Sequence, residues 1–255
     1  MTVCTCDKMT IDEAKSWGLT ATAASRLRPV AAMRAQAKWN DEECTRMGAR
    51  PFAIKFYDDL EISVQWWAQM LGWSPAKVSG IFAVLSPRKL WSLNKEQAIQ
   101  ALRERSADNV PTIRSQCVKV NRIIALPDDA SMAEVLAIVS VTGKGFKTMA
   151  FCRHGAGVRD LSVCSDRHNW TAVTFCPVCE CEPDISVQEL TGVYALVEAI
   201  VQDLAASNGI WPMTQQAIIW HPARLSKPDG MRDEVRRLAD VRVQDVAFAM
   251  VSMAV

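Results

Sequence analysis

Net charge, histidine and long apolar runs are all scarce in this sequence. Its 29 lysines and arginines are almost balanced by 28 aspartates and glutamates, and only 3 histidines occur in 255 residues. This balance excludes a strong basic field over the whole molecule, so nucleic-acid binding would have to come from a local group of residues. No apolar run approaches the roughly 20 residues of a membrane span, and the first residues lack a secretory signal. We therefore expect a cytoplasmic protein that has no membrane partner.

Signals for β-hairpins are also nearly absent, whereas helical patterns occur along most of the chain. An apolar face at helical spacing runs from Val78 to Leu85, after a residue suited to cap the helix, Ser74. Ser131 and Glu134 fit a capping box at the start of another helix. The sequence therefore predicts an all-α fold.

Hydrophobic residues make up 49% of the chain, which is enough to bury a sizeable core. We expect a single helical domain over residues 1–255, built as two closely packed helical lobes. One or two amphipathic helices are predicted within residues 11–48, and further helices at 51–71, 94–105, 186–206 and 229–252.

The chain has nine cysteines, an odd number, and they are scattered along the sequence. This pattern indicates reduced, mostly buried thiols rather than a disulfide framework. Cys176, Cys179 and Cys181 lie close together in the sequence, with Cys164 and His168 shortly before them. These residue types can bind zinc, but the paired Cys-x-x-Cys motifs of zinc knuckles are missing. The sequence therefore predicts no metal and no cofactor.

The most informative stretch is a glycine-containing turn between two helical patterns. Gly143 and Gly145 flank Lys144, and two glycines allow a tight turn that exposes backbone N–H groups beside the start of a helix. A helix N-terminus of this kind binds a phosphate group without much side-chain charge. A nearly neutral protein can therefore still hold DNA at this turn.

The run from Val141 to Met149, VTGKGFKTM, resembles the helix-hairpin-helix motif of endonuclease III-like DNA glycosylases. In that family the motif reads Leu-Pro-Gly-Val-Gly-Arg-Lys-Thr-Ala, so both glycines and the pair Lys147 and Thr148 match. The family's next landmark is an aspartate at the start of a helix. Asp166, nineteen residues after Lys147, stands in the matching place.

A third match lies upstream, where Ala-Val-Leu-Ser-Pro-Arg is followed by Asn94 and Lys95. In the family this loop supplies the side chain that fills the gap left by an extruded base, and Arg88 would take that position. Trp91 and His168 are then expected to line the pocket. The resemblance covers residues 74–175, the wedge loop, hairpin and catalytic core, and is closest to a divergent, phage-encoded branch acting in the cytoplasm of a bacterial host.

The sequence also departs from the family pattern in several places. Thr142 replaces the proline of the hairpin, Lys144 stands where an apolar residue is usual, and an extra segment, CRHGAGVRD, precedes the aspartate. The four-cysteine spacing of the iron–sulfur subgroup is not reproduced by the cysteines from Cys176 onward. These departures leave the identity of the recognised base open.

The resemblance implies a DNA glycosylase that acts as a monomer and extrudes a damaged or modified base. Asp166 is expected to stabilise the positive charge that develops on the sugar, or to activate the nucleophile. If Lys147 is desolvated, its neutral amine can attack the sugar and add AP lyase activity; if it stays charged, it binds phosphate. DNA-binding roles fall to the turn and its neighbours: Gly143, Lys144, Gly145, Thr148 and Arg88.

Two other functions fit the same residues. One is a phage transferase that modifies a base in the same pocket without removing it. The other is a non-catalytic module that binds DNA through the hairpin alone. The three functions differ in their products: an abasic site, a retained base of altered mass, or no chemical change, in which case mutation of Asp166 is silent.

Overall fold

The computed structural model describes residues 6–85, 111–140, 146–164, 167–180, 183 and 190–225. These residues form helices connected by turns, with no β-strand among them. The helices are α1 (Ile11–Ser16), α2 (Ala21–Ala24), α3 (Val30–Arg46), α4 (Arg50–Leu71), α5 (Pro75–Leu85), α6 (Pro111–Ile124), α7 (Met132–Val139), α8 (Phe146–Gly155), α9 (Arg167–Thr174), α10 (Leu190–Asn208) and α11 (Pro212–Leu225). The predicted all-α class is confirmed, while the helices predicted at 94–105 and 229–252 lie outside the described residues.

The predicted helix starts at α5 and α7 are confirmed by their caps. The Ser74 hydroxyl accepts the N–H of Lys77 at 3.2 Å, and α5 begins at Pro75. At α7, Ser131 and Glu134 exchange both bonds of a capping box. Each cap satisfies N–H groups that have no partner inside the helix, so these boundaries follow from local sequence.

Residues 11–46 form three helices, where the sequence predicted one or two. Gly18 adopts a left-handed φ of 66° after α1, and this breaks the chain direction. Thr20 then starts a new helix by accepting the N–H of Ala23 at 3.1 Å. A glycine in this conformation followed by a capping threonine is the local signal for a second helix start.

A middle hydrophobic core is formed mainly by the five helices from α4 through α8. On α4, the buried residues recur every three or four positions along one face, as a helix with one buried stripe requires: Ala53, Tyr57, Leu60, Val64, Trp67 and Ala68. Helix α5 packs closely on its neighbours, since a Cβ at Gly80 would overlap a methyl group of Val135. Gly155 of α8 likewise lies against the Ser79 side chain.

A buried ammonium group fastens the start of α5 to the loop after α6. Lys77 is only 1% exposed, and its Nζ donates to the Leu126 carbonyl at 2.7 Å and lies 3.1 Å from an Asp128 carboxylate oxygen. The ammonium also lies 4.4 Å from the ring centre of Trp73. These partners replace the water that a lysine loses on burial.

A second hydrophobic core joins α1, α2, α3, α9 and α10. Its largest contribution is an apolar stripe of α10: Val193, Leu196, Val197, Ile200 and Val201. The sequence predicted a helix within 186–206, but of the stripe expected there only Val197 and Val201 belong to this buried set. Opposite this stripe lie side chains from the N-terminal helices, among them Leu27 and Met33. This core therefore joins the beginning of the chain to its later part.

Helix α11 contributes to both cores. Ile218 belongs to the middle core and its neighbour Ile219 to the second core. Two buried glutamines on the same helix extend its contacts: Gln216 accepts the hydroxyl of Tyr57 on α4, and Gln215 donates to Asp41 of α3 at 2.9 Å. None of the described helices combines the length and apolar character that a membrane crossing needs.

Candidate functional site

The two helices that flank the predicted glycine turn are both present. Helix α7 ends at Val139 and α8 begins at Phe146, while residues 141–145, with Gly143, Lys144 and Gly145, lie outside the described residues. The Lys119 ammonium on α6 donates to the Val139 carbonyl at 3.1 Å. A cation at a helix C-terminus stabilises the last carbonyls, so Lys119 fixes the helix end from which the turn departs.

The first turn of α8 presents a positive helix end to the turn that precedes it. No acidic residue lies in this first turn, so no carboxylate of the helix itself offsets the partial positive charge of the N–H groups. Lys147 is exposed and Thr148 is half-buried. The two residues predicted to bind DNA on this helix therefore both lie at its N-terminal end.

The chain returns to this helix end seventeen residues later. The Cys164 thiol donates to the Lys147 carbonyl at 3.5 Å, and α9 begins at Arg167. Asp166 lies between these two points in the sequence but outside the described residues. The structure therefore brings the backbone of Lys147 together with the segment that leads into Asp166.

Three polar side chains on α10 hold that segment in place. The Tyr194 hydroxyl donates to the Val163 carbonyl, and a Glu198 carboxylate oxygen accepts the Val163 N–H at 2.8 Å. One turn further along, Gln202 donates to the Leu161 carbonyl at 2.7 Å. Burial raises the pKa of Glu198 above its usual value. The spacing of four residues puts all three side chains on one face of α10, where they bind the backbone of residues 161–163.

The extra segment before the aspartate is anchored to α8 and α4. Arg153 and His154 both pair with Asp160, the histidine Nε2 at 3.4 Å. The same nitrogen lies 3.2 Å from the Ser162 carbonyl, which can only accept a hydrogen bond. Arg159 pairs with Asp58 and Glu61 on α4. This departure from the family pattern therefore consists of the last residues of α8 and a following loop that is held against α8 and α4.

His154, in the last turn of α8, has a structural role. Its side chain is 1% exposed, and burial lowers its pKa despite the neighbouring carboxylate of Asp160. Both Asp160 and the Ser162 hydroxyl lie on the same ring nitrogen. A relay that activates a serine requires the two partners on opposite nitrogens, so these three residues do not form one.

The meeting point of Lys147 and Cys164 lies where the two hydrophobic cores join. Val163 is buried in the second core, and Cys164 is buried in the middle core, to which α8 also belongs. Junctions between packed lobes are common places for ligand-binding clefts. The candidate site is therefore formed by the N-terminal end of α8 and the segment at residues 163–164.

Several predicted site residues lie outside the described part of the chain. These are Arg88, Trp91, the three turn residues and Asp166, whereas His168 lies in α9 with only its backbone described. In return, sequence reasoning missed Lys119, Tyr194 and Glu198. Each acts on a segment at least 20 residues away in the chain, and their spacing on amphipathic helices was the available signal.

Cysteines form a separate group away from this site. The Sγ atoms of Cys6, Cys176 and Cys179 all lie within 4.8 Å of one another. The sequence had placed Cys176 and Cys179 in a candidate group with Cys164, but the Cys164 thiol instead contacts the Lys147 carbonyl. Cys6 was not part of that candidate group.

A family model described as a family of unknown function, DUF7178, matches residues 52–227, which is more than half of the chain. The chain belongs to the DUF7178 family. No curated protein and no solved structure matches it. The DUF7178 region includes the glycine turn, Lys147, Asp166 and the α10 residues that hold the segment before it, whereas Cys6 lies before the region.

Proposed function

We propose that this DUF7178 chain acts on DNA as a helix-hairpin-helix glycosylase-like enzyme that extrudes a damaged or modified base and cleaves its bond to the sugar. One observation carries the proposal: the Cys164 thiol contacts the Lys147 carbonyl. The contact supports the expected arrangement, because it brings the segment before Asp166 to the helix that follows the glycine turn. Two motifs that are separate in sequence then serve one site.

The start of α8 suits the phosphate backbone of DNA. Its first turn carries no carboxylate, and Lys147 is exposed. Phosphate binds at such helix ends through backbone N–H groups and the helix dipole, with a lysine adding charge. This local arrangement meets the requirement set by a net charge of +1.

Asp166 has the catalytic role in this proposal. Chemistry on a base in a duplex requires the nucleotide to leave the stack and enter a pocket, and in this proposal that pocket lies beside Asp166. As the base departs, positive charge develops on the sugar, and a carboxylate beside it stabilises that charge. Tyr194 and Glu198 act as positioning residues, since they hold the Val163 backbone three residues earlier.

The exposure of Lys147 favours a monofunctional enzyme. A lysine attacks a sugar carbon only as a neutral amine, and burial is the usual means of obtaining one. We therefore assign Lys147 to phosphate binding.

The test uses duplexes that carry deaminated, oxidised or alkylated bases, with alkali cleavage and mass measurement of the products. We expect alkali-labile sites on one class of duplex. Asp166→Asn should abolish turnover with little loss of DNA affinity. Lys147→Ala should weaken DNA binding. It should also reduce the slope of log K against the logarithm of the salt concentration by about one, because one phosphate contact is lost. Lys38→Ala, which removes an equally exposed lysine on α3, is the matched control and should leave both unchanged.

Other outcomes would replace the proposal. A borohydride-trapped adduct that requires Lys147 would overturn the monofunctional assignment. A retained base of altered mass would indicate the transferase. DNA binding with no chemistry, and a silent Asp166→Asn, would indicate the binding module, and no DNA binding at all would refute every version.

A further inference from the structure

Three thiols from distant parts of the chain meet beside the second hydrophobic core. The Cys6 Sγ lies 3.4 Å from the Cys179 Sγ and 3.5 Å from the Cys176 Sγ. Cys176 is 1% exposed, and the other two are half-buried. Cys6 is 173 residues from Cys179 in the sequence, so the group exists only because the fold assembles it.

The spacing of the sulfur atoms fits a single tetrahedral ion. A zinc–sulfur bond of about 2.3 Å in a tetrahedron puts neighbouring sulfurs about 3.8 Å apart. The measured separations of 3.4 and 3.5 Å, with all three atoms within 4.8 Å, need only small shifts to reach this value. A disulfide requires about 2.05 Å instead, and in an iron–sulfur cluster the thiolates are distributed over two or more irons, which puts some of the sulfurs further apart.

The turn that carries two of the thiols also supplies hydrogen bonds to sulfur. The backbone N–H groups of Val178 and Cys179 donate to the Cys176 Sγ, and the Arg28 side chain donates to it as well. Such donors fix the orientation of a metal-bound thiolate, and the positive guanidinium offsets part of the negative charge of three thiolates. Two residues separate Cys176 and Cys179, the usual spacing for two ligands of one ion.

We propose that Cys6, Cys176 and Cys179 bind one structural Zn²⁺ ion. Binding replaces three S–H bonds with three zinc–sulfur bonds and releases three protons to solvent, with no change of oxidation state. One corner of the tetrahedron remains for a further ligand.

This proposal departs from the expectation that the chain binds no metal. That expectation relied on the lack of a second Cys-x-x-Cys pair near Cys176, whereas here the third thiol comes from the other end of the chain. A zinc ion at this place would tie the segment before α1 to the turn after α9. It would therefore stabilise the second core and take no part in chemistry at Lys147.

The experiment measures zinc in the full chain purified without added metal, by elemental analysis after exhaustive dialysis. We expect close to one zinc per chain. Cys6→Ala, Cys176→Ala and Cys179→Ala should each lose most of it, whereas Cys44→Ala, which removes a buried thiol of the middle core, should retain it. Removing the metal with a chelator should lower the melting temperature of the wild-type protein and leave that of Cys176→Ala unchanged.

A second measurement on the wild-type protein covers the case in which a cysteine variant does not fold. X-ray absorption at the zinc edge should show at least three sulfur neighbours at about 2.3 Å. The proposal is overturned if the wild-type protein holds no zinc, if the ion has fewer than three sulfur neighbours, or if any of the three variants retains zinc at the wild-type level. A disulfide between two of these cysteines in the freshly purified protein would overturn it too.

Discussion

The two hydrophobic cores differ in what limits the approach of their helices. In the middle core, Gly80 lies against the branched side chain of Val135, which is fully buried on α7. In the second core, Gly192 lies against the end of the Leu19 side chain, which can rotate. The first contact is rigid and the second is adjustable, so the same substitution should have different effects in the two cores.

The largest effect is expected for Gly80→Ala. A new Cβ would overlap Val135 and touch Ile123, and in a close-packed core such overlap forces backbone shifts. We expect a loss of about 3 kcal/mol in the free energy of unfolding, measured by urea denaturation.

Gly192→Ala is the matched change in the second core. There the Leu19 end can move aside, and alanine favours the helix by about 1 kcal/mol. We expect a net change smaller than 1 kcal/mol or so, of either sign. Equal losses for the two variants would show that the cores do not differ in this way.

The effect of Lys77→Met on stability is expected to be smaller than that of Gly80→Ala. This substitution keeps the length of the side chain and removes the ammonium. The Leu126 carbonyl then loses its donor, and a partly buried acceptor without a partner costs about 1 kcal/mol. Asp128→Asn should change stability little, because the carboxylate is 70% exposed and solvent screens the pair. A larger loss for Asp128→Asn would mean that the charge pair, and not the carbonyl bond, holds this loop.

The smallest effect on stability comes from His154 on α8 and depends on pH. Burial lowers the pKa of His154 below 6.5 in the folded protein, so below that value the unfolded chain binds more protons. The free energy of unfolding should therefore fall as the pH drops through about 6.5. The groups that face the ring are Asp160, Arg153 and Arg159, of which only Asp160 favours the charged form.

His154→Gln provides the comparison, because it keeps a donor for the Ser162 carbonyl and removes the titration. The slope of stability against pH between neutral and mildly acidic conditions should be shallower in this variant than in the wild-type protein. Denaturation curves at several pH values measure it. Identical slopes would show that His154 is protonated equally easily in both states.

Local signals predicted the parts of the fold that depend on neighbours in sequence. The caps at Ser74 and Ser131 and the existence of the helix α10 were predictable because helix starts and amphipathic patterns follow short-range rules. The third helix within residues 11–46 was not predicted, although Gly18 and Thr20 carried the signal.

The contacts that assemble the candidate site were not predictable in this way. Lys119 at the end of α7, Tyr194 on the Val163 carbonyl and Cys6 beside Cys176 all join segments that are distant in sequence. Helical spacing indicates the face of the helix on which a side chain lies, but a single sequence does not indicate which distant segment it contacts. The roles of Lys147 and Asp166 stay predictions that come from the family resemblance.

The position of α11 has a consequence for how the molecule unfolds. Because the adjacent residues Ile218 and Ile219 belong to different cores, unwinding a single turn of this helix opens both cores to water at once. The lobes are therefore expected to lose their structure in one cooperative transition. Amide protons of α4 and α10, which never share a core, should exchange with solvent at similar limiting free energies.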